Sequence, residues 1–211
     1  MSRIAGLVLV VCMLACAGSA RAVPTVRGAT GLVFIPDTQV QDAAALFTEQ
    51  GKVTTLGDKS FSAFEGGLMS QDGRTFYDGK IQLLPDITSD EEWVPGVAIG
   101  IRGVAAENDR REFYLVTSKK FSYPQCTIVG GLERVGAFKG SPTHGFYGLE
   151  LPLFAGLEVL VDHENAGGTT NAGLRYTVAK TVSIYDYILD ARGHTDTSKQ
   201  NIVGACYQKH F

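Results

Sequence analysis

Basic charge is scarce in this sequence, and so are cysteine, tryptophan and long apolar runs. The 211 residues carry 19 Lys and Arg against 22 Asp and Glu, a net charge of −3. A nucleic-acid binder needs a clustered basic face, so that class is excluded. Tryptophan occurs once, at Trp93, and cysteine four times. Cys12 and Cys16 fall in the opening apolar run. Cys126 and Cys206 remain, too few for a disulfide framework. They can form one bridge in an oxidising compartment or stay as two thiols, and the sequence leaves both open. Past the opening no stretch reaches about 18 apolar residues, so no transmembrane helix is predicted. Catalytic signatures are missing too. There is no HExxH, no Gly-Lys-Ser/Thr closing the glycine-rich "GGLERVGAFKGS" (130–141), and no G-x-S-x-G. His144, His194 and His210 stand without metal-ligand spacing, so neither metal nor cofactor is expected.

What is present begins with "MSRIAGLVLVVCMLACAGSARA". Arg3 precedes an apolar run from Ile4 to Ala17, and Ala20-Arg21-Ala22 supplies a small-x-small cleavage site. That is a secretory signal, predicted to be cut after Ala22. Met13-Leu14-Ala15-Cys16 offers a weaker rival, a lipobox that would make Cys16 a lipidated N-terminus. Removing residues 1–22 takes two arginines and no acid, which leaves 189 residues with a charge of −5.

Residues 23–42 form an N-terminal segment, followed by a single domain over 43–211. There the chain runs in segments of about ten residues bounded by Gly, Asp, Asn, Pro and Ser clusters such as "SQDGR", "LPDITSDEE" and "KGSPTHG". In "PGVAIGIRGV", Val97, Ile99 and Ile101 alternate with Gly96, Ala98, Gly100 and Arg102. In "NAGLRYTV", Ala172, Leu174, Tyr176 and Val178 alternate with Asn171, Gly173, Arg175 and Thr177. Period two with β-branched and aromatic residues predicts strands. About ten or eleven are expected, the first over 44–54 and the last over 201–210, with one brief helix in "QDAAALF".

A soluble sandwich would bury its apolar faces, whereas a membrane barrel turns them outward and lines its lumen with small or polar groups. The second face of these strands is Gly, Ala, Thr, Ser, Asn, Arg and Glu, which suits a narrow wet lumen. "NIVGACYQKHF" puts Val203, Ala205, Tyr207 and Phe211 on one face, like the terminal recognition signal of outer-membrane barrels; Tyr207 and Phe211 would carry it. The expectation is an all-β, antiparallel up-and-down β-barrel of about ten to twelve strands, of outer-membrane type. Asp186 and Lys119 must then sit near a rim, face the lumen at a bulge, or lie outside the membrane, because a lipid-facing charge is costly.

Three stretches, "GATGLVFIPDTQVQD" (28–42), "VPGVAIGIRGV" with "EFYLVTSKKFS" (94–104, 112–122) and "LVDHENAGGTTNAGLRY" (160–176), carry a resemblance. In order and spacing they resemble landmarks of YjbH-like proteins, exported outer-membrane barrels associated with exopolysaccharide production. Many members are much longer than this chain. The resemblance implies an outer-membrane address, with lipid, the barrel-assembly machinery, and polysaccharide or envelope proteins as partners. In its pattern His163 stands where an aromatic is common.

Asp162, His163 and Glu164 are adjacent on a strand, so their side chains alternate faces and cannot converge on one ion. With 163–170 as a loop, Glu158 falls opposite Arg175, Asp162 opposite Asn171 and Leu157 opposite Tyr176. Glu158, Asp162 and Arg175, joined by Arg102, are therefore expected to form a lumenal polar network. Trp93, Tyr114, Tyr176 and Tyr207 read as interfacial girdle residues, or as platforms for sugar rings. The first functional expectation is a non-enzymatic barrel serving exopolysaccharide export or envelope assembly. Two alternatives stay open. One is a barrel enzyme acting on envelope lipid or polysaccharide, with Ser118 or Ser183 beside a distant histidine. The other is a soluble periplasmic β-domain that binds a partner.

Overall fold

In the computed structural model, residues 23–25, 30–32, 36–39, 43–48, 51–58, 63–71, 74–86, 93–104, 111–136, 141–179, 181–191 and 200–209 are described. Two short strands, β1 (Val23–Pro24) and β2 (Thr30–Gly31), pair with each other. The wall is built by β3 (Ala43–Thr48), β4 (Gly51–Asp58), β5 (Phe64–Gln71), β6 (Arg74–Leu84), β7 (Gly96–Val104) and β8 (Glu112–Ser122). It continues with β9 (Gln125–Val135), β10 (Thr143–Phe154), β11 (Leu157–Glu164), β12 (Thr169–Ala179), β13 (Val182–Leu189) and β14 (Gln200–Lys209). Each strand pairs antiparallel with its chain neighbours, and β14 pairs with β3, so twelve strands close into a barrel.

Alternation does the sorting. Leu174, Tyr176 and Val178 on β12 face outward and exposed, while Asn171, Gly173 and Arg175 are buried inside. The same parity exposes Ile184 and Ile188 on β13, and Val203 and Tyr207 on β14. An apolar belt of this extent on the outside of a closed polar-lined cylinder is the mark of a membrane barrel.

Local chemistry explains the joins. β10 turns into β11 through Ala155 and Gly156, both at positive φ (49° and 81°), the conformation a two-residue hairpin of the primed type needs. Gly156 has no room for a side chain there, since a Cβ would approach the Thr177 carbonyl oxygen at 2.9 Å. Pro152, which donates no ladder hydrogen bond, sits at a bulge between β10 and β11.

Two expectations are corrected. "QDAAALF" is not a helix: its described part, from Ala43 on, is strand β3, held by β14 and β4 on either side. The stretch expected as one strand over 44–54 is a hairpin of β3 and β4. The interior is also less wet than its glycines and alanines suggest. Leu32 of the N-terminal segment, 1% exposed, joins a buried apolar cluster with inward residues including Leu46, Val116, Phe146, Leu160 and Tyr187. Among its described residues, Leu32, Asp37 and Thr38 are thus buried inside the barrel, and Leu32 completes that core.

Candidate functional site

The lumen is the candidate site. Its tyrosines owe their position to glycine: Tyr114 lies opposite Gly100, and Tyr187 opposite Gly173. A Cβ on either glycine would overlap the facing ring, so each ring lies flat on the bare backbone of the neighbouring strand. Phe146 uses Gly131 in the same way.

Among the aromatics lie three ionic clusters. Arg175 on β12 donates from Nε to Glu158 on β11, and its Nη2 is 2.9 Å from Glu150 on β10. Arg102 on β7 gathers Glu133 (2.7 Å), Glu112 (3.0 Å) and Glu164 (3.6 Å) from three other strands. Lys80 on β6 lies 3.7 Å from Glu65 on β5 and 3.5 Å from Asp37 of the N-terminal segment. In each cluster one cation meets two or three carboxylates. A cation buried among carboxylates is held strongly in place, because removing it strands the acids in a medium that solvates them poorly.

The sequence-derived set is divided by this geometry. Glu158 pairs with Arg175 and Asp162 with Asn171, whose Nδ2 donates to Asp162 Oδ1 at 2.8 Å; Leu157 lies opposite Tyr176. Arg102 does not join Glu158; it belongs to the separate cluster with Glu164. The β7–β8 pairing sets Glu112 directly opposite Arg102, while the turn of the wall brings Glu133 and Glu164 to it, a convergence no spacing in the sequence shows. The loop is also shorter than 163–170. Strand pairing continues to Glu164 and Thr169, and His163 Nδ1 lies 2.9 Å from Thr170 Oγ1. His163 faces away from the acids, with its ring 5.1 Å from that of Tyr147.

Cys126 and Cys206 are free thiols. Cys206 points inward with Ile202, whereas Cys126 lies on the face of β9 that carries Ile128 and Leu132, with four strands between β9 and β14. A disulfide needs its Cα atoms within about 7 Å, which this arrangement does not offer. Tyr207 is exposed on the outer face of β14, and Phe211 lies outside the described residues. Trp93 and Phe121 meet edge-on at 5.6 Å near the end of β8, a rim position. Tyr114 is no girdle residue; it is buried in the lumen, its ring 5.6 Å from the Arg102 guanidinium. Ser118 hydrogen-bonds to Thr38 and Ser183 to Thr177, so each meets a threonine hydroxyl. Lys119 lies 3.7 Å from Asp86, two residues past the end of β6, which places it at a rim. Burial raises the Asp86 carboxyl above its ordinary range, opposed by the Lys120 backbone N–H and by Lys119.

Sequence reasoning missed the role of residues 36–39. Thr38 bonds Ser118 on β8, its carbonyl accepts from Gln82 Nε2 on β6 at 2.8 Å, and Asp37 reaches Lys80. The Asp37 carboxylate also caps its own turn, accepting from Gln39 N at 2.9 Å. Asp37 and Thr38 are both buried. Burial raises the Asp37 carboxyl above its ordinary value, with Lys80 pulling the other way and Glu65 adding to the rise. The Pro-Asp-Thr turn chemistry is visible in the sequence, but its seat inside the barrel is not.

A closed antiparallel barrel with an apolar exterior and a polar, ion-paired lumen is of the outer-membrane type. No family model and no curated protein matches this chain. Among solved structures it is similar to a KdgM porin, with a TM-score of 0.55 and 10% identity over 80% of this chain and 98% of the other. A KdgM porin in complex with disordered oligogalacturonate is similar too, with a TM-score of 0.57 at the same identity and coverage. At that identity the likeness speaks for the fold.

Proposed function

We propose that this protein is a non-enzymatic outer-membrane channel that serves exopolysaccharide export or envelope assembly, closed in the described state by its own N-terminal segment. One observation carries the reading. Residues 36–39 are not part of the wall, yet they sit among its lumenal polar groups through Lys80, Gln82 and Ser118. Among the described residues the segment's seat, with Leu32 in the core and Asp37 and Thr38 on the wall, includes no ladder pairing with the barrel strands, so it can leave without unzipping any of them. The YjbH-like landmarks support an envelope polysaccharide role, and the porin likeness supports a barrel that passes solutes. Export would follow cleavage after Ala22, with Tyr207 on β14 and the terminal residue Phe211 engaging the assembly machinery.

The test has two stages. In a washed outer-membrane fraction the folded protein should migrate differently on a detergent gel before and after boiling; a soluble periplasmic protein with no shift would end the membrane reading. Thr38→Cys with Ser118→Cys should then form a disulfide in the oxidised full-length protein. Its conductance in planar bilayers should be at least tenfold below the same protein after reduction, while wild type ignores the reductant. Equal conductance in both states would remove the N-terminal segment from the channel's closure.

A further inference from the structure

We infer that the lumen binds uncharged saccharide chains and rejects polyuronates; this rests on the channel reading above and names the substrate class of that site. Wall charge is the first ground. Facing inward and buried on the described strands are Glu65, Asp78, Glu133, Glu150, Glu158, Asp162 and Glu164, with the less buried Glu112 beside Arg102, against Lys80, Arg102 and Arg175. Seven buried carboxylates and Glu112 face three cations, and each cation is already shared among several acids. A polyuronate brings one further carboxylate per sugar into this field. Like charges in a narrow, poorly hydrated passage repel over several ångströms, so such a chain is held off.

The second ground is independent of charge. The hydroxyl oxygens of Tyr114 and Tyr187 are buried in the lumen and meet no hydrogen-bond partner among the described residues, and the same holds for the hydroxyls of Thr55 and Thr127. Buried polar groups are normally paired, so a set of unpaired donor–acceptor hydroxyls on the inward face of four strands marks a surface shaped for a hydroxyl-rich partner. Carboxylates accept from sugar hydroxyls, tyrosines both donate and accept, and the flattened rings of Tyr114 and Tyr187 offer faces to sugar C–H groups. The seated segment already shows the contact type. Thr38 places an aliphatic hydroxyl on Ser118, as a sugar hydroxyl would.

The experiment is calorimetric titration of the folded full chain in detergent micelles, with a neutral glucose hexasaccharide and with hexagalacturonate. It is run on wild type and on an Asp37→Ala, Thr38→Ala variant whose segment has lost its side-chain contacts to Lys80 and Ser118. The neutral chain should bind, more tightly to the loosened variant, and hexagalacturonate should bind at least tenfold more weakly at low salt. Raising the salt should narrow that gap, because the repulsion is screened. Tyr187→Phe, which removes one hydroxyl and keeps the ring, should weaken the neutral chain at least threefold in a protein that still shifts on boiling. Hexagalacturonate binding as tightly as the neutral chain would overturn the inference. So would failure of both proteins to bind any saccharide. If the neutral preference holds in a protein that never conducts ions, the channel reading falls and the ligand class stands. Conduction without saccharide binding would overturn the ligand class and leave the channel reading standing.

Discussion

Arg175 is fully enclosed, and two carboxylates depend on it. Replacing it with Ala leaves Glu150 and Glu158 buried without their cation, a change that costs about 3–5 kcal/mol where a buried pair is broken one-sidedly. The Arg175→Ala barrel should therefore lose its unboiled gel mobility at a markedly lower temperature than wild type. Adding Glu150→Gln and Glu158→Gln should recover much of the loss, since neutral amides need no counter-charge. A wild-type transition in the single variant would mean that water, not Arg175, solvates these acids. The partnership of Glu158 and Arg175 is legible in the sequence because two alternating strands joined by a short glycine-rich turn fix their own register. The surroundings of Arg102 are not legible there. Glu112 lies directly opposite it on β8, but Glu133 on β9 and Glu164 on β11 come from farther round the wall, and only its curvature turns them toward the same point. His163 is readable from strand parity alone, since it shares the outward face with Val159 and Val161.

At the scale of elements, β13 and the N-terminal segment pose opposite problems. β13 carries Asp186 outward between Leu174 and Val203, both about half exposed, three residues before the strand ends at Leu189. It does not face the lumen, and no bulge lies beside it. An acidic side chain on the lipid face costs less than the 2–4 kcal/mol of a midplane Lys or Arg, falling toward zero near the interfaces. Asp186→Leu should therefore stabilise the barrel by about 1 kcal/mol, read as a rise in the boiling transition. An unchanged transition would put Asp186 at headgroup level. For the N-terminal segment the relevant group is Asp37. Its carboxyl has an ordinary value of 3.8 when released and a raised one when buried against the wall. Seating thus takes up a proton more readily than release. The contribution is fully present below about 3.8 and is lost as pH rises through the seated value. Channel openings should become more frequent as pH is raised across that window, and Asp37→Asn should abolish the dependence. A pH-independent wild type would remove Asp37 from the closure. These elements are unevenly visible in the sequence. The β3–β4 hairpin reads as one strand because Glu49-Gln50 carries none of the Gly, Pro or Asn that mark turns elsewhere in the chain. "QDAAALF" reads as helical because alanine favours helices when no neighbour is considered, and the pairing with β14 overrides that preference.

At the scale of the whole molecule, inside and outside carry different chemistry on the same strands. The outside is legible as an apolar belt because period two exposes it directly, and that decides barrel over sandwich. The inside is legible as polar but not as filled. Leu32, Asp37 and Thr38 reach it from a segment whose own pattern says nothing about where it packs. The chain's modest net charge of −3 also hides how unevenly charge is distributed, since the buried strand-borne acids of the lumen outnumber its bases by four. In the proposed channel that excess lines the path of the ions, and its field, being buried, is screened less than that of a surface charge. When the segment is released, potassium should permeate at least threefold faster than chloride, seen as a reversal potential of cationic sign under a salt gradient. The preference should shrink toward 1 M salt, where the Debye length falls to about 3 Å. Glu133→Gln with Glu164→Gln leaves Arg102 with Glu112 as its remaining ion-pair partner among the three, so this variant should move the reversal potential toward the anionic side. An anion-preferring wild type would mean that the three lumenal cations, rather than the seven carboxylates, set the potential along the path.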